Sequence, residues 1–100
     1  MATYVIADLQ VHDSATYERY RAAVPPLVQR YQGEYLVRGG ELEVMEGTWR
    51  PSRLVVLRFP DRQAARAFLN DPDYQPLKAL RQRATTTDLV MVDGLGDTGL

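Results

Sequence analysis

The chain has 100 residues, a net charge of −1 and no cysteine. A chain of this length forms one domain, and its balanced charge provides no field that would draw it to nucleic acid or to an anionic membrane. Without cysteine it has no disulfide, no thiolate nucleophile and no cysteine-ligated metal. The first residues lack the basic start and long apolar core of a signal peptide, and no apolar run is as long as a membrane span, so we expect a cytoplasmic protein.

A strand and a helix are predicted at the start of the chain. Residues 3–11 are rich in Val, Ile and Tyr and alternate in part, which is typical of a strand. Asp13 or Ser14 can cap a following helix, because either side chain accepts hydrogen bonds from free backbone amides. The apolar residues after them recur every three or four positions as far as Tyr31, which predicts one helical stripe.

Pro25-Pro26 lies inside this stripe. A proline lacks the backbone donor and clashes with the preceding turn, so the helix must kink or restart there. We therefore expect one helix over residues 14–24 and a second segment that ends at Tyr31. Gly33 suits the left-handed backbone position that closes a helix.

The middle of the chain contains two predicted strands and two turn signals. The strands are residues 34–38 and 53–59. Gly39-Gly40 allows two interpretations, because paired glycines tolerate positive φ: a tight hairpin turn, or a bend within one long strand that continues to Glu46. We favour the bend, because the turn signal in residues 47–52 is stronger.

Two further helical segments and a final strand complete the pattern. Asp61 is the expected N-cap of a helix that ends before Asn70-Asp71-Pro72. Pro76 fits the first turn of a last helix that runs to Arg83. Threonines then lead into a strand over residues 85–93, since β-branched side chains favour strands.

The order of these elements is the βαββαβ arrangement of a ferredoxin-like α+β domain, in which both helices lie on one face of an antiparallel sheet. We expect this domain over residues 1–94 and a flexible tail over residues 95–100. Residues 54–57 and 89–92 are apolar on both faces, whereas helices cover only one. A second copy packed sheet against sheet is the simplest cover, so we predict a homodimer.

Several motifs resemble an uncharacterised bacterial family, domain of unknown function 1330. They are DxxxYxxY at 13–20, YLVRGG at 35–40, EVMEG at 43–47, WRPSRLVVLRFP at 49–60, DPDYQPLKALR at 71–81 and VDG at 92–94. The resemblance covers nearly the whole chain and implies a dimeric α/β-barrel protein. That superfamily contains cofactor-free monooxygenases, haem-degrading enzymes, isomerases and ligand-binding modules, so the resemblance implies no single activity. The shared motif positions are Arg38, Gly39, Gly40, Glu46, Gly47, Arg53 and Tyr74.

Charged residues of the central strands are candidates for a site. Arg38 closes a strand against Gly39-Gly40, where a guanidinium beside exposed amides can hold a carboxylate bidentately. Glu46 shares strand parity with apolar neighbours, and an unpaired carboxylate there would suit a general base. Pairing of Glu46 with Arg53 or Arg38 would instead make the cluster structural. We predict that these charged residues converge, with Glu46 catalytic. The predicted substrate-binding residues are Arg38, Gly39, Gly40, Trp49, Arg53 and Tyr74.

Other conspicuous residues have simpler interpretations. His12 is the only histidine, and a lone imidazole is poor evidence for a metal, so we expect no metal and no cofactor. The stripe of Tyr17, Tyr20 and Tyr31 is typical of a core. Basic residues also occur in Arg19-Tyr20-Arg21 and Arg81-Gln82-Arg83, but they are scattered, and a solvated helix face explains them better than nucleic-acid binding.

These expectations leave more than one function open. A cofactor-free enzyme would act on a small anionic or oxygenated organic molecule, which Arg38 and Arg53 would hold while Glu46 moves a proton. A non-catalytic dimer would bind a small ligand in the same pocket, or the charge cluster would only stabilise the dimer. We expect neither a nucleic acid nor a membrane as partner.

Overall fold

The computed structural model describes residues 1–95, which contain four strands and four helices. The strands are β1 (Thr3–Val11), β2 (Glu34–Arg38), β3 (Arg53–Phe59) and β4 (Thr85–Asp93). The helices are α1 (Ser14–Ala23), α2 (Pro25–Arg30), α3 (Arg62–Asn70) and α4 (Gln75–Ala84). The predicted strands and helices are confirmed in their order and nearly in their bounds. Beyond Leu95, the predicted tail lies outside the described residues.

The strands pair antiparallel in the order β2-β3-β1-β4. Residues of β1 alternate between buried and half-buried, and Val5 lies opposite both Leu57 and Met91. Val5 and Leu57 pack with helical residues such as Phe68 in one buried cluster. The helices therefore cover one face of the sheet, which confirms the predicted ferredoxin-like α+β fold.

The other face of the sheet, here called the open face, is apolar but incompletely covered. Its centre is Ile6, which lies opposite Val56 on β3 and Val90 on β4. Val90 is 56% exposed and Val37 is 40% exposed. The strands that were predicted to be apolar on both faces thus present one of those faces to the outside of the subunit.

The helices begin and end where local chemistry requires. The carboxylate of Asp13 accepts a hydrogen bond from the Thr16 amide at 3.1 Å, and that of Asp61 accepts one from the Ala64 amide at 2.8 Å. Both aspartates are therefore N-caps. The predicted helix break is confirmed at Val24, immediately before Pro25. Because Pro25 has no amide hydrogen, it cannot bond to the carbonyl four residues earlier.

The end of α2 differs from the prediction for Gly33. The left-handed residue is Gln32, with φ 61°, and its amide bonds to the Gln29 carbonyl at 3.0 Å. The Gly33 amide bonds to the Val28 carbonyl at 2.9 Å, which completes a Schellman motif. A Cβ on Gly33 would lie 2.6 Å from the Phe59 ring. Gly33 is therefore needed for close packing rather than for positive φ.

Both interpretations of Gly39-Gly40 are wrong. β2 ends at Arg38, and residues 39–52, here called the connecting segment, contain no strand. Gly39 has φ 71° and still bonds to the Leu54 carbonyl at 2.8 Å, after which the chain leaves the sheet. β2 is an edge strand, so the residues after Gly40 could pair only with residues before Arg53, and those form the irregular turn.

Candidate functional site

A cavity lies between the sheet and the helices. Its walls are mostly apolar and include Val5, Leu9 and Leu57 from the sheet and Val24 and Phe68 from the helices. The volume of the cavity is about 40 Å³, counted as the space that the centre of a water molecule can occupy. That space corresponds to roughly three water molecules, so the enclosed part suits a group of a few atoms.

Four tyrosines line this cavity: Tyr17 and Tyr20 on α1, Tyr35 on β2, and Tyr74 in the turn before α4. The Tyr20 and Tyr74 hydroxyls lie 3.0 Å apart and share a hydrogen bond. Burial, and then the neighbouring Tyr74, raise the pKa of Tyr20 well above its usual value, so its hydroxyl stays protonated. The predicted core role of Tyr17 and Tyr20 is correct, but both also form the cavity wall.

Arginines supply the charge of the cavity. Arg21, Arg38 and Arg81 are in its lining, and no Asp or Glu is among the lining residues of the described chain. Arg21 is half-exposed and pairs with Glu18 at 3.3 Å. Within residues 1–95, neither Arg38 nor Arg81 forms a salt bridge. The cavity is therefore cationic without an internal counter-charge.

Arg81 is the residue that the sequence interpretation missed. It is only 7% exposed, and its Nε has no hydrogen-bond partner within the described residues. The predicted solvated face is wrong for Arg81, although Gln82 and Arg83 are exposed. The signal was available, because Arg81 lies four residues after Leu77 and three before Ala84, on the buried side of α4.

Arg38 lines the cavity from the edge of the sheet, as its position opposite Val55 requires. Its Nη2 donates to the Arg21 carbonyl at 2.6 Å. Its guanidinium carbon lies 4.6 Å from the centre of the Tyr35 ring. Arg38 is thus fixed by a hydrogen bond and a cation–π contact, and it pairs with no carboxylate among residues 1–95.

Arg53 and Gly39 lie behind the cavity wall rather than in it. The Nε of Arg53 donates to the Tyr17 hydroxyl at 3.1 Å, and the guanidinium lies 5.4 Å from the centre of that ring. A Cβ on Gly39 would clash with this guanidinium. Gly39 therefore allows Arg53 to support Tyr17, which does line the cavity.

The remaining predicted site residues on the connecting segment lie away from the cavity. Glu46 is exposed and has no hydrogen bond or salt bridge to any residue among 1–95. Trp49 is 61% exposed, and its indole donates to Asp8 at 2.8 Å on the open face. Gly40 is exposed. Arg38 and Tyr74 thus share the cavity, whereas the expected convergence with Glu46 is not found within one subunit.

A second polar cluster holds the turn before Tyr74 in place. The buried Asp71 accepts hydrogen bonds from the Tyr31 hydroxyl, from Arg30 at 3.0 Å and from the Asp73 amide at 2.7 Å. The Tyr31 hydroxyl, followed by the Asp73 amide, holds the pKa of Asp71 below its usual value. This carboxylate joins the end of α2 to the start of α4 and so positions the Tyr74 hydroxyl.

The chemistry of the cavity is that of an anion-binding site. Its ionisable side chains are arginines and tyrosines, which donate hydrogen bonds at neutral pH. Within residues 1–95, no cluster of three or more His, Cys, Asp or Glu is arranged to hold a metal ion. None of the helices in the described part of the chain is long and apolar enough to cross a membrane.

Solved structures share this fold at low sequence identity. A protein of unknown function from Rhodopseudomonas palustris is 16% identical, with a TM-score of 0.80 over 95% of this chain and 83% of its own. A dimeric ferredoxin-like protein of unknown function from Jannaschia sp. CCS1 is 15% identical, with a TM-score of 0.75 over 94% of this chain and all of its own. SnoaB, a cofactor-independent oxygenase from Streptomyces nogalater, is 20% identical, with a TM-score of 0.61 over 95% and 93%. At these identities the likeness shows the fold alone.

No curated protein matches the sequence. The sequence pattern of one family, Domain of unknown function (DUF1330), matches residues 2–95. This match covers almost the whole chain. The protein therefore belongs to the DUF1330 family.

Proposed function

We propose that this protein is a homodimer in which each subunit binds a small organic anion in the cavity between sheet and helices. The observation that carries the proposal is the burial of Arg81 in the lining of this cavity. Arg81 is 7% exposed and its Nε lacks a partner among residues 1–95, in a cavity whose described lining contains no carboxylate. Arg38 adds a second guanidinium to the same lining.

An unpaired buried cation destabilises a folded protein unless something compensates for it. Removing a charge from water costs several kcal/mol, and burial is normally accompanied by a counter-ion and by hydrogen bonds to every donor. A bound carboxylate or similar anion would supply both at Arg81. A side chain that lowers stability and has no structural role is often retained because it binds a ligand.

The cavity favours binding over catalysis. A general base must accept a proton near neutral pH, and the ionisable groups of the cavity are arginines and tyrosines. Burial raises the pKa of Tyr35, and burial together with Tyr74 raises that of Tyr20 even further. A catalytic role for Glu46 stays a prediction, and it would require that the connecting segment of this subunit or of a partner bring Glu46 to the cavity.

The support for a homodimer is the apolar open face of the sheet. Apolar residues at its centre and edges, such as Val90 and Val92, are about half-exposed in the subunit. A face of this kind is typical of an interface between subunits. The similar protein from Jannaschia sp. CCS1 is described as dimeric, which supports the same assembly here.

Thermal unfolding tests the anion site. Acetate, propionate and benzoate should raise the melting temperature of the wild type above that in chloride at equal ionic strength, because a ligand that binds only the folded state stabilises it. Arg81→Gln should abolish this rise while leaving the melting temperature without ligand unchanged or higher. The control is Arg83→Gln, which changes an exposed residue of the same helix and should keep the full rise. An equal rise in Arg81→Gln, or none in the wild type, would contradict the proposal.

A further inference from the structure

We infer that the ligand is a monocarboxylate that enters head first, so that its carboxylate reaches Arg81 and its apolar body points toward the opening of the cavity. This inference rests on the proposed anion site and names its ligand class and orientation. It follows from the free donors at the closed end, from the gradient of burial along the lining, and from the apolar walls between.

The free donor of Arg81 determines how an anion would approach. Nε is the unsatisfied atom. An arginine presents Nε–H together with one Nη–H as a planar fork that matches the two oxygens of a carboxylate. An anion that satisfies Nε must therefore approach this edge of the guanidinium, and a planar carboxylate can contact both donors at once.

The tyrosine pair adds a neutral donor at the same end. Tyr20 and Tyr74 both line the cavity with Arg81, and their hydroxyls, 3.0 Å apart, share one hydrogen bond. Two hydroxyls carry two protons and the shared bond uses one, so the second proton is free to bond to a ligand oxygen. Arginine and tyrosine together offer a carboxylate more donors than the fork alone.

The burial of the lining residues indicates which end is closed. Arg81 and Tyr74 are 7% and 1% exposed. Arg21, Tyr35 and Arg38, which contact one another on α1 and at the β2 edge of the sheet, are half-buried. The opening therefore lies toward this second group, and the free donors lie at the inner end.

The walls between the two ends disfavour a second charge. They consist largely of aliphatic and aromatic side chains such as Val5, Leu57 and Phe68. A dicarboxylate too short to reach the opening would place its second charge beside these groups, where an unpaired charge costs free energy. An apolar body gains instead from leaving water.

Calorimetric titration of the intact protein tests the class and the orientation. The probes are straight-chain monocarboxylates from acetate to octanoate, the primary amides and dicarboxylates of equal length, and inorganic phosphate. Affinity should rise about fourfold for each added methylene until the chain emerges from the opening. The amides should bind about 10- to 150-fold more weakly than the acids, and Arg81→Gln should weaken the acids by a similar factor.

Further variants separate the orientation from the existence of the site. Tyr20→Phe should weaken carboxylates and leave the gain for each methylene unchanged, and it keeps the test available if Arg81→Gln fails to fold. Arg81→Lys should recover part of the affinity, because lysine keeps the charge but lacks the planar fork. If anions bind through Arg81 but dicarboxylates or phosphate bind more tightly than monocarboxylates, or chain length has no effect, this inference is wrong and the anion site remains. If no anion binds, the proposed anion site and the inferred ligand class and orientation are all wrong.

Discussion

Arg38 donates a hydrogen bond to the backbone carbonyl of Arg21 at 2.6 Å, and Pro25 is the reason that this carbonyl is free. In an uninterrupted helix the carbonyl of residue 21 would accept the amide of residue 25. Proline has no amide hydrogen, so the arginine of the neighbouring strand takes the place of the missing donor. The break between α1 and α2 and the position of a cavity arginine thus have a common cause.

The first prediction tests this relationship with a double-mutant cycle. Arg38→Met should lower the free energy of unfolding by about 1.5 kcal/mol, because it leaves the Arg21 carbonyl without its charged donor. In a Pro25→Ala background the same change should cost less, since the substituted alanine would offer an amide to that carbonyl. Urea unfolding of the wild type, the two single variants and the double variant gives the coupling energy between positions 25 and 38. Equal costs in both backgrounds would mean that Pro25 does not determine the role of Arg38.

The second prediction concerns the open face. Val90→Glu should convert the proposed dimer to a monomer, because the new carboxylate would be buried between two apolar sheets. Val90 is 56% exposed in the subunit, so the fold should survive. Light scattering coupled to size exclusion measures the mass, and circular dichroism checks the fold. Ala67→Glu on the exposed side of α3 is the control and should leave the mass unchanged. A wild type that is a monomer at micromolar concentration would overturn the proposed dimer.

The third prediction compares neighbours at the end of α2. Gln32→Gly should raise the free energy of unfolding by about 0.5–1 kcal/mol, because glycine adopts positive φ without the penalty that other residues pay. Gly33→Ala should lower it by about 1–3 kcal/mol, because the new Cβ would overlap Phe59 and Val28. Urea unfolding measures both. A gain from Gly33→Ala would refute the packing argument.

The fourth prediction gives the pH dependence of the cluster around Asp71. Its folded-state pKa lies below the unfolded value of 3.8, chiefly because the Tyr31 hydroxyl bonds to it. The cluster therefore stabilises the fold in full above pH 3.8, and this contribution is lost as the pH falls through the lower folded-state pKa. Asp71→Asn should lower the melting temperature by several degrees at about pH 7 and by much less once the pH is below the folded-state pKa of Asp71.

Thermal unfolding of both proteins across this range measures the difference. Asp73→Asn is the matched control, because Asp73 is exposed and also bonds to Arg30. It should change the melting temperature only slightly at either pH. A difference between Asp71→Asn and the wild type that does not shrink in acid would show that the carboxylate charge is not what stabilises the cluster.

The helix caps, the helix break and the order of the elements could be predicted from the sequence, because local signals determine them. Asp13 and Asp61 cap their helices because an aspartate before a helix can reach free amides, and Pro25 breaks its helix wherever the rest of the chain lies. The ferredoxin-like fold followed from the order of such elements. These features depend on residues a few positions apart, which a single sequence shows directly.

The site was less predictable because it depends on contacts between distant segments. The charge of Arg81 predicts a position in solvent, whereas its spacing from Leu77 places it on the buried side of α4. Glu46 was assigned to a strand, and its expected partners followed from that strand. Once Gly39 turns the chain out of the sheet, strand parity no longer determines where Glu46 points.

The contact between Trp49 and Asp8 gives this protein a built-in optical reporter. Trp49 is the only tryptophan of the chain, and its indole lies on the open face rather than in the core. Its emission should therefore follow the covering of that face, whereas far-ultraviolet circular dichroism follows the backbone. During denaturation the two signals should separate if the subunits part before they unfold, and coincide if dissociation and unfolding are a single event.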